Sequence, residues 1–578
     1  MMKKISYILL FAAFSAQAQK LSTEITVERT VVPAERAATR LNSVSPSIVP
    51  ATVQDTRIDM AEYGQPGTLT RSSYLLAPAA WADTFALSPY RGYVSAGYFP
   101  VYNLGVSAGY RLLQTSDTRL GVWGQFDGYA YDSKDHAENG KTPDFKNNSF
   151  AIGADFDRRF GRAGVLSAGV AYRFGKQSLP DSHYIVDRSL NMVDAKIAWW
   201  ARAGRVGYHV GAELHSFGYK EDYGSPGYAD GMPAPQLHLF DKGTETRFEA
   251  NAGLITRLGG SSRAGLELKA DFLSRPDGMV IVPDFDNKRW EIAGADGGTL
   301  GVMTATPYYA FGGDKGVNLR LGARLDISTG GKDKKFHVAP DVLASYAAKG
   351  FSIYARAGGG EVLNTQRSLY DYTPFFPAGW QYRRSHLPLT VDAGINVGPF
   401  AGFGIELFGG WARANNWLMP AFVAGLGGGY GDVTFLATDI KGTHAGVRAS
   451  YSWRSMVDVK ASVEFAPQKP GSGYYLWRDR AKMVLEASLA VRPVEKLEVN
   501  VGYELRADRA AYGYDGTEMP EAISLGDASL LSVSARYSIT PALDVFTRGD
   551  NLLGSDYYML PGVRAQGLHG LVGASFKF

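Results

Sequence analysis

There is no cysteine in the 578 residues of this chain. That excludes a disulfide framework, a thiolate metal site, a thiol nucleophile and the N-terminal cysteine on which a lipoprotein anchor is built. Long apolar runs are also missing. Beyond the N-terminus nothing approaches the ~18 uninterrupted apolar residues that a membrane-crossing helix requires. Charge is sparse and nearly balanced, at 20% of residues and a net +3, which gives no reason to expect nucleic acid. The nine histidines are scattered, and no histidine-activated serine or paired-carboxylate arrangement marks a hydrolase. The sequence therefore points to a non-enzyme with no catalytic residue, cofactor or metal ligand set. Oxygen ligands do cluster at Asp132, Ser133, Asp135 and Glu138, beside Lys134 and His136, but without the spacing of a cation loop.

What the chain has is one pattern, repeated. Leu497, Val499, Val501, Tyr503, Leu505 and Ala507 alternate with Glu498, Asn500, Gly502, Glu504, Arg506 and Asp508. Successive side chains of a strand point to opposite faces, so one face is apolar and the other ionic. The same alternation runs through 148–158, 192–202, 248–254, 266–272, 391–397 and 457–465. A soluble sandwich would need an ionic core or a greasy exterior to accommodate so many copies. A closed barrel in a membrane, with lipid outside and water inside, accommodates all of them. Charged inward residues such as Lys269, Asp271, Glu504 and Arg506 then read as lumen charges paired across neighbouring strands. Trp199, Trp200, Trp411 and Trp417 read as aromatic girdle.

The chain divides into three parts. Residues 1–18 form a secretory signal: Lys3 and Lys4, a mostly apolar run Ile5–Phe14, then Ala16-Gln17-Ala18 as a small-x-small cleavage site. Residues 19–87 are irregular and read as a periplasmic or lumenal segment, with Ala77–Leu87 as its packed part. From 88 to 578 lies an all-β transmembrane antiparallel barrel. Short connections (161–164, 204–205, 259–262, 312–316, 349–350, 398–399, 453–455, 493–495 and 540–541) alternate with longer ones (133–147, 178–187, 221–243, 276–297, 367–386, 415–433, 512–524 and 557–566). Short periplasmic turns and longer extracellular loops produce that phase, and counting against it gives about 22 strands. An exported barrel of this kind belongs in the outer membrane of a Gram-negative bacterium, surrounded by lipid and lipopolysaccharide. At ~22 strands such barrels are transporters with a plugged lumen rather than open channels.

The C-terminal stretch, Asp550-Asn551-Leu552-Leu553-Gly554-Ser555-Asp556-Tyr557-Tyr558, Pro561-Gly562 and a last strand ending Phe576-Lys577-Phe578, resembles the closing strands of TonB-dependent receptors. Phe576 and Phe578 resemble the signal read by the barrel-assembly machinery. Residues Thr23, Glu24, Ile25, Thr26 and Val27 look like a TonB box, the extended segment that pairs with an energy-transducing partner by strand addition. The resemblance implies solute uptake across the outer membrane. It departs in one respect: family members carry a plug roughly twice as long as 19–87. Two other functions fit a shorter segment. One is a plug-less barrel serving as a structural or partner subunit beside a surface lipoprotein. The other is a hatch-type channel for hydrophobic solutes, although the Asn-Pro-Ala start of that class is missing. The loop aromatics Tyr370, Tyr372, Phe375, Phe376 and Trp380 are candidates for engaging a ligand or a partner.

Overall fold

The computed structural model describes residues 89–100, 102–132, 144–180, 185–223, 242–284, 289–312, 316–330, 335–376, 378–423, 433–454, 456–466, 468–470, 481–514, 521–560 and 563–578. The signal, the TonB-box-like residues and Ala77–Leu87 lie outside them, as do Ser133–Glu138.

Twenty-two antiparallel strands close into a barrel. They are β1 Gly92–Phe99, β2 Asn103–Gln114, β3 Thr118–Asp132, β4 Asp144–Arg159, β5 Val165–Pro180, β6 Ile185–Ala203 and β7 Val206–Tyr223. Then come β8 Lys242–Gly259, β9 Ser262–Arg275, β10 Gly298–Gly312, β11 Gly316–Thr329, β12 Lys335–Ala348, β13 Phe351–Val362 and β14 Ser385–Phe400. The last eight are β15 Phe403–Val423, β16 Val433–Trp453, β17 Val457–Phe465, β18 Met483–Val494, β19 Leu497–Ala507, β20 Ala528–Ser538, β21 Leu543–Asp550 and β22 His569–Lys577. Each strand pairs with its sequence neighbours, and β1 pairs with β22 from Tyr93↔Lys577 to Tyr98↔Val572. Among the described residues, closure leaves the barrel sheet without an open edge, which a lipid environment demands. The seam is finished by the last residue: Phe578 O accepts from Arg91 N and Gly92 N at 2.7 and 2.8 Å.

The alternation sorts as the two solvents require. On β4, Phe150 and Ile152 face outward and are exposed, and on β6 Val193 and Ile197 do the same. Asp194 and Lys196, between them, face the lumen. Phe576 and Phe578 face outward too, stacked on each other at 6.1 Å.

Two sequence readings are corrected. The turn placed at 398–399 falls instead at Ala401-Gly402, because β14 runs on through Gly398-Pro399. Proline lacks an N–H, and here it sits where the β14–β15 ladder is already interrupted, between Val397 and Phe400. The loop 415–433 is shorter than its composition suggests, since β15 reaches Val423 and β16 begins at Val433. One further long connection, 466–482, lies between β17 and β18.

Candidate functional site

The lumen is crossed by one of the barrel's own loops. Residues 363–384, between β13 and β14, turn inward and carry an α-helix, α1 Gln366–Tyr372. Its start is set locally. Thr365 is extended, its side chain accepts from Ser368 N, and Ser368 Oγ accepts from Thr365 N, a reciprocal cap that satisfies two otherwise unpaired donors. The helix N-terminus then meets the wall, where the Glu245 carboxylate on β8 accepts from Gln366 N at 3.0 Å. After the helix the chain runs on until the Phe375 ring lies 4.8 Å from Phe145 on β4. Counting around the barrel, β4 is ten strands from β14 in one direction and twelve in the other, so this contact joins opposite walls.

What holds the loop there is an apolar seat where the alternation would place polar groups. Leu190 and Met192 on β6, with Phe217 and Tyr219 on β7, point inward and are buried beneath Leu369, Phe376, Ala378, Trp380 and Tyr382. Fully burying one such side chain contributes about 1.5–3 kcal/mol. Arg188 and Glu221 sit under the same loop. The Arg188 guanidinium donates to Glu221 Oε1 at 2.7 Å and to Pro374 O at 3.0 Å, and lies over the Phe376 ring at 4.5 Å. The far end is tied by side chains donating to backbone carbonyls: Arg275 Nη1 to Tyr382 O of the loop, the loop's Gln381 Nε2 to Pro276 O and Arg384 Nη1 to Thr329 O, and, within the loop, Gln366 Nε2 to Trp380 O.

The sequence-predicted loop aromatics thus have a defined place. Phe375, Phe376 and Trp380 are buried in the seat. Tyr370 packs against it, and burial pushes its phenol up to about 12. Tyr372 closes α1. The buried rings hold the loop in the lumen rather than presenting a surface to the exterior. Trp199 packs against Phe160 on the outer face, whereas Trp200 lines a lumenal niche with Asp155, Lys196 and His209, which removes it from the girdle. Lumen charges are paired across or along strands. Lys269 lies 2.7 Å from Glu249 and 3.9 Å from Asp271, Arg247 donates to Asp271 at 2.6 Å, and Arg506 contacts Glu504.

Sequence reasoning missed the seat itself, the Arg188–Glu221 pair and Glu245. It also missed a niche of about 790 Å³ on the wall from β14 to β20. That niche carries Glu406, Arg448, Lys460, Glu486 and Glu504 among small residues such as Ser450, Ser488, Gly502 and Ser532. A few charged and polar groups on an otherwise apolar lining can fix how a solute lies in a hollow.

No protein-family model matches the sequence, and no curated protein is similar to it in sequence. Solved structures are similar in fold. The pyoverdine outer membrane receptor FpvA of Pseudomonas aeruginosa is 14% identical, superposes with a TM-score of 0.61, and is matched over 85% of this chain and 78% of its own. A ferric enterobactin receptor variant, PfeA, of the same organism is 12% identical with a TM-score of 0.61, over 85% and 82%. The copper transporter OprC is 12% identical with a TM-score of 0.60, over 84% and 80%. The chain has the barrel fold of TonB-dependent receptors. At this identity it is the architecture that is shared, and the TonB-dependent receptor fold accounts for the strand number, the closure and the alternation of short and long connections.

Proposed function

We propose that the chain lies in the outer membrane of a Gram-negative bacterium and takes up a solute through its lumen, with the loop 363–384 as an internal barrier. The observation that carries this reading is the Phe145–Phe375 contact between opposite walls of a 22-strand barrel. A cylinder that wide, left open, is a leak. A barrier built from the barrel's own loop permits passage only when it moves. The fold likeness to receptors for ferric siderophores and to a copper transporter supports transport over catalysis. The strand number, too high for a hatch-type channel, speaks against that alternative for hydrophobic solutes.

In this reading Thr23, Glu24, Ile25, Thr26 and Val27 add as a strand to a TonB-type transducer, which supplies the energy to shift the barrier. Phe576 and Phe578 are read by the barrel-assembly machinery, and a surface lipoprotein could dock on the long-loop rim. The test compares accumulation of labelled polar solutes, ferric chelates and copper among them, in cells carrying the native chain or Val27→Pro. Proline removes a donor that strand pairing needs. Accumulation lost in the variant, with the barrel still folded, is the expected result. Equal accumulation of a transported solute by both overturns energised uptake.

A further inference from the structure

Two histidines and a glutamate from three consecutive strands meet at the root of the crossing loop. Glu361 stands near the end of β13, just before the loop, and pairs in register with His386 at the start of β14, just after it. His337 reaches the same point from β12. His337 Nδ1 lies 2.6 Å from Glu361 Oε1, and His386 Nδ1 lies 3.2 Å from the same oxygen. Their candidate ligand atoms all fall within 4.8 Å of one another. The imidazole rings stack, with centroids 3.9 Å apart and planes inclined by 22°.

These groups do not satisfy one another as hydrogen bonds. Both Nδ1 atoms are buried without a hydrogen-bond partner, although each is close to the carboxylate. A buried polar nitrogen left in that state is unfavourable, because it has lost water without gaining a partner. Two ring nitrogens and a carboxylate oxygen converging without directed protons fit a shared cation, to which all three can offer lone pairs.

The surroundings are compatible with one oxygen acting as ligand. Arg384 Nε lies 3.9 Å from Glu361 Oε2, which leaves Oε1 as the coordinating atom. Arg324 is held by Asp326, its Nε 3.0 Å from each carboxylate oxygen, so its charge is largely offset. Asp326 also accepts from Glu361 N at 2.8 Å and Arg324 donates to Glu361 O at 3.1 Å, which fixes the glutamate backbone. Gly360, with φ +137, takes the bulged turn of chain that brings Glu361 into this position.

We infer that His337, Glu361 and His386 bind one divalent transition-metal ion. Imidazole and carboxylate together suit Zn²⁺, Cu²⁺, Ni²⁺ or Co²⁺ and disfavour Mg²⁺ and Ca²⁺, which prefer oxygen alone. Because Glu361 and His386 bracket the loop, the ion ties both of its ends to β12. The inference does not depend on the uptake reading.

Purified full-length barrel in detergent, stripped with a chelator, is titrated with Co²⁺ and followed by visible ligand-field absorption, then challenged with Zn²⁺, Mg²⁺ and Ca²⁺. One equivalent of Co²⁺ is expected, displaced by Zn²⁺ and not by Mg²⁺ or Ca²⁺. His337→Ala and His386→Ala should each weaken binding by more than the roughly 10–100-fold that loss of an outer-shell partner costs. Glu361→Gln, which keeps the shape, should also weaken it. His215→Ala, at a lumenal histidine facing Asp194 and Glu213, is the control and should bind as the native chain does. Heat-modifiable migration on SDS gels reports whether each variant is folded. Less than one equivalent bound, native-like binding by folded His337→Ala and His386→Ala, or loss of binding in His215→Ala overturns the assignment.

Discussion

Arg188 and Glu221 face each other in register across β6 and β7, buried, with the Arg188 guanidinium also donating to Pro374 O in the loop that crosses the lumen. One cation therefore joins two strands of the wall to the loop packed against them. Removing it by Arg188→Met takes the guanidinium from a buried carboxylate and from Pro374 O, and should destabilise the seat by about 1.5–3 kcal/mol, the worth of a hydrogen bond to a charged group. The measurement is the temperature at which the folded band is lost on SDS gels, with single-channel conductance beside it. A lower transition temperature and a noisier, larger conductance are expected. No change in either would mean that the pair does not hold the loop.

The two faces of β19 make a second contrast. Val501 faces lipid near the middle of its strand, and Val501→Arg should cost about 2–4 kcal/mol. Asn500 points into the lumen, where its amide donates to Glu498 at 3.3 Å, and Asn500→Arg should be mild. Urea unfolding in lipid vesicles separates the two. Equal losses would reverse the assignment of faces.

How much of this was legible in the sequence follows from which solvent each side chain meets. The alternation at Leu497–Asp508 or Val193–Arg202 is imposed by lipid on one side and water on the other, so class, closure and strand number could be counted from it. The seat was not legible. Leu190 and Met192 share a face with Asp194 and Lys196, and in sequence they look like the end of a strand leaving the membrane. Only the returning loop explains why they are apolar. His337, Glu361 and His386 have no motif spacing because register, not chain proximity, assembles them. Trp200 was misassigned for a related reason: adjacent tryptophans on one strand must face opposite ways, and only one of them can join a girdle.

Orientation gives a third prediction, made simple by the absence of native cysteine. Ser225→Cys, Asn287→Cys and Ala424→Cys, in long connections, should react with an impermeant maleimide on intact cells. Arg205→Cys and Lys349→Cys, at short turns, should react only after the outer membrane is opened. Labelling of the turns alone on intact cells would invert the topology.

The central claim is that the loop 363–384 closes the lumen by spanning it. The direct measurement is single-channel conductance in planar bilayers of a variant in which residues 366–382 are replaced by a short Gly-Ser linker, compared with the native chain. The linker keeps Glu361 and His386 and removes the helix, Phe375, Phe376 and Trp380. A stable conductance several times larger than that of the native chain is the expected result. A folded variant whose conductance matches the native chain would contradict the account, because the barrier would then lie elsewhere.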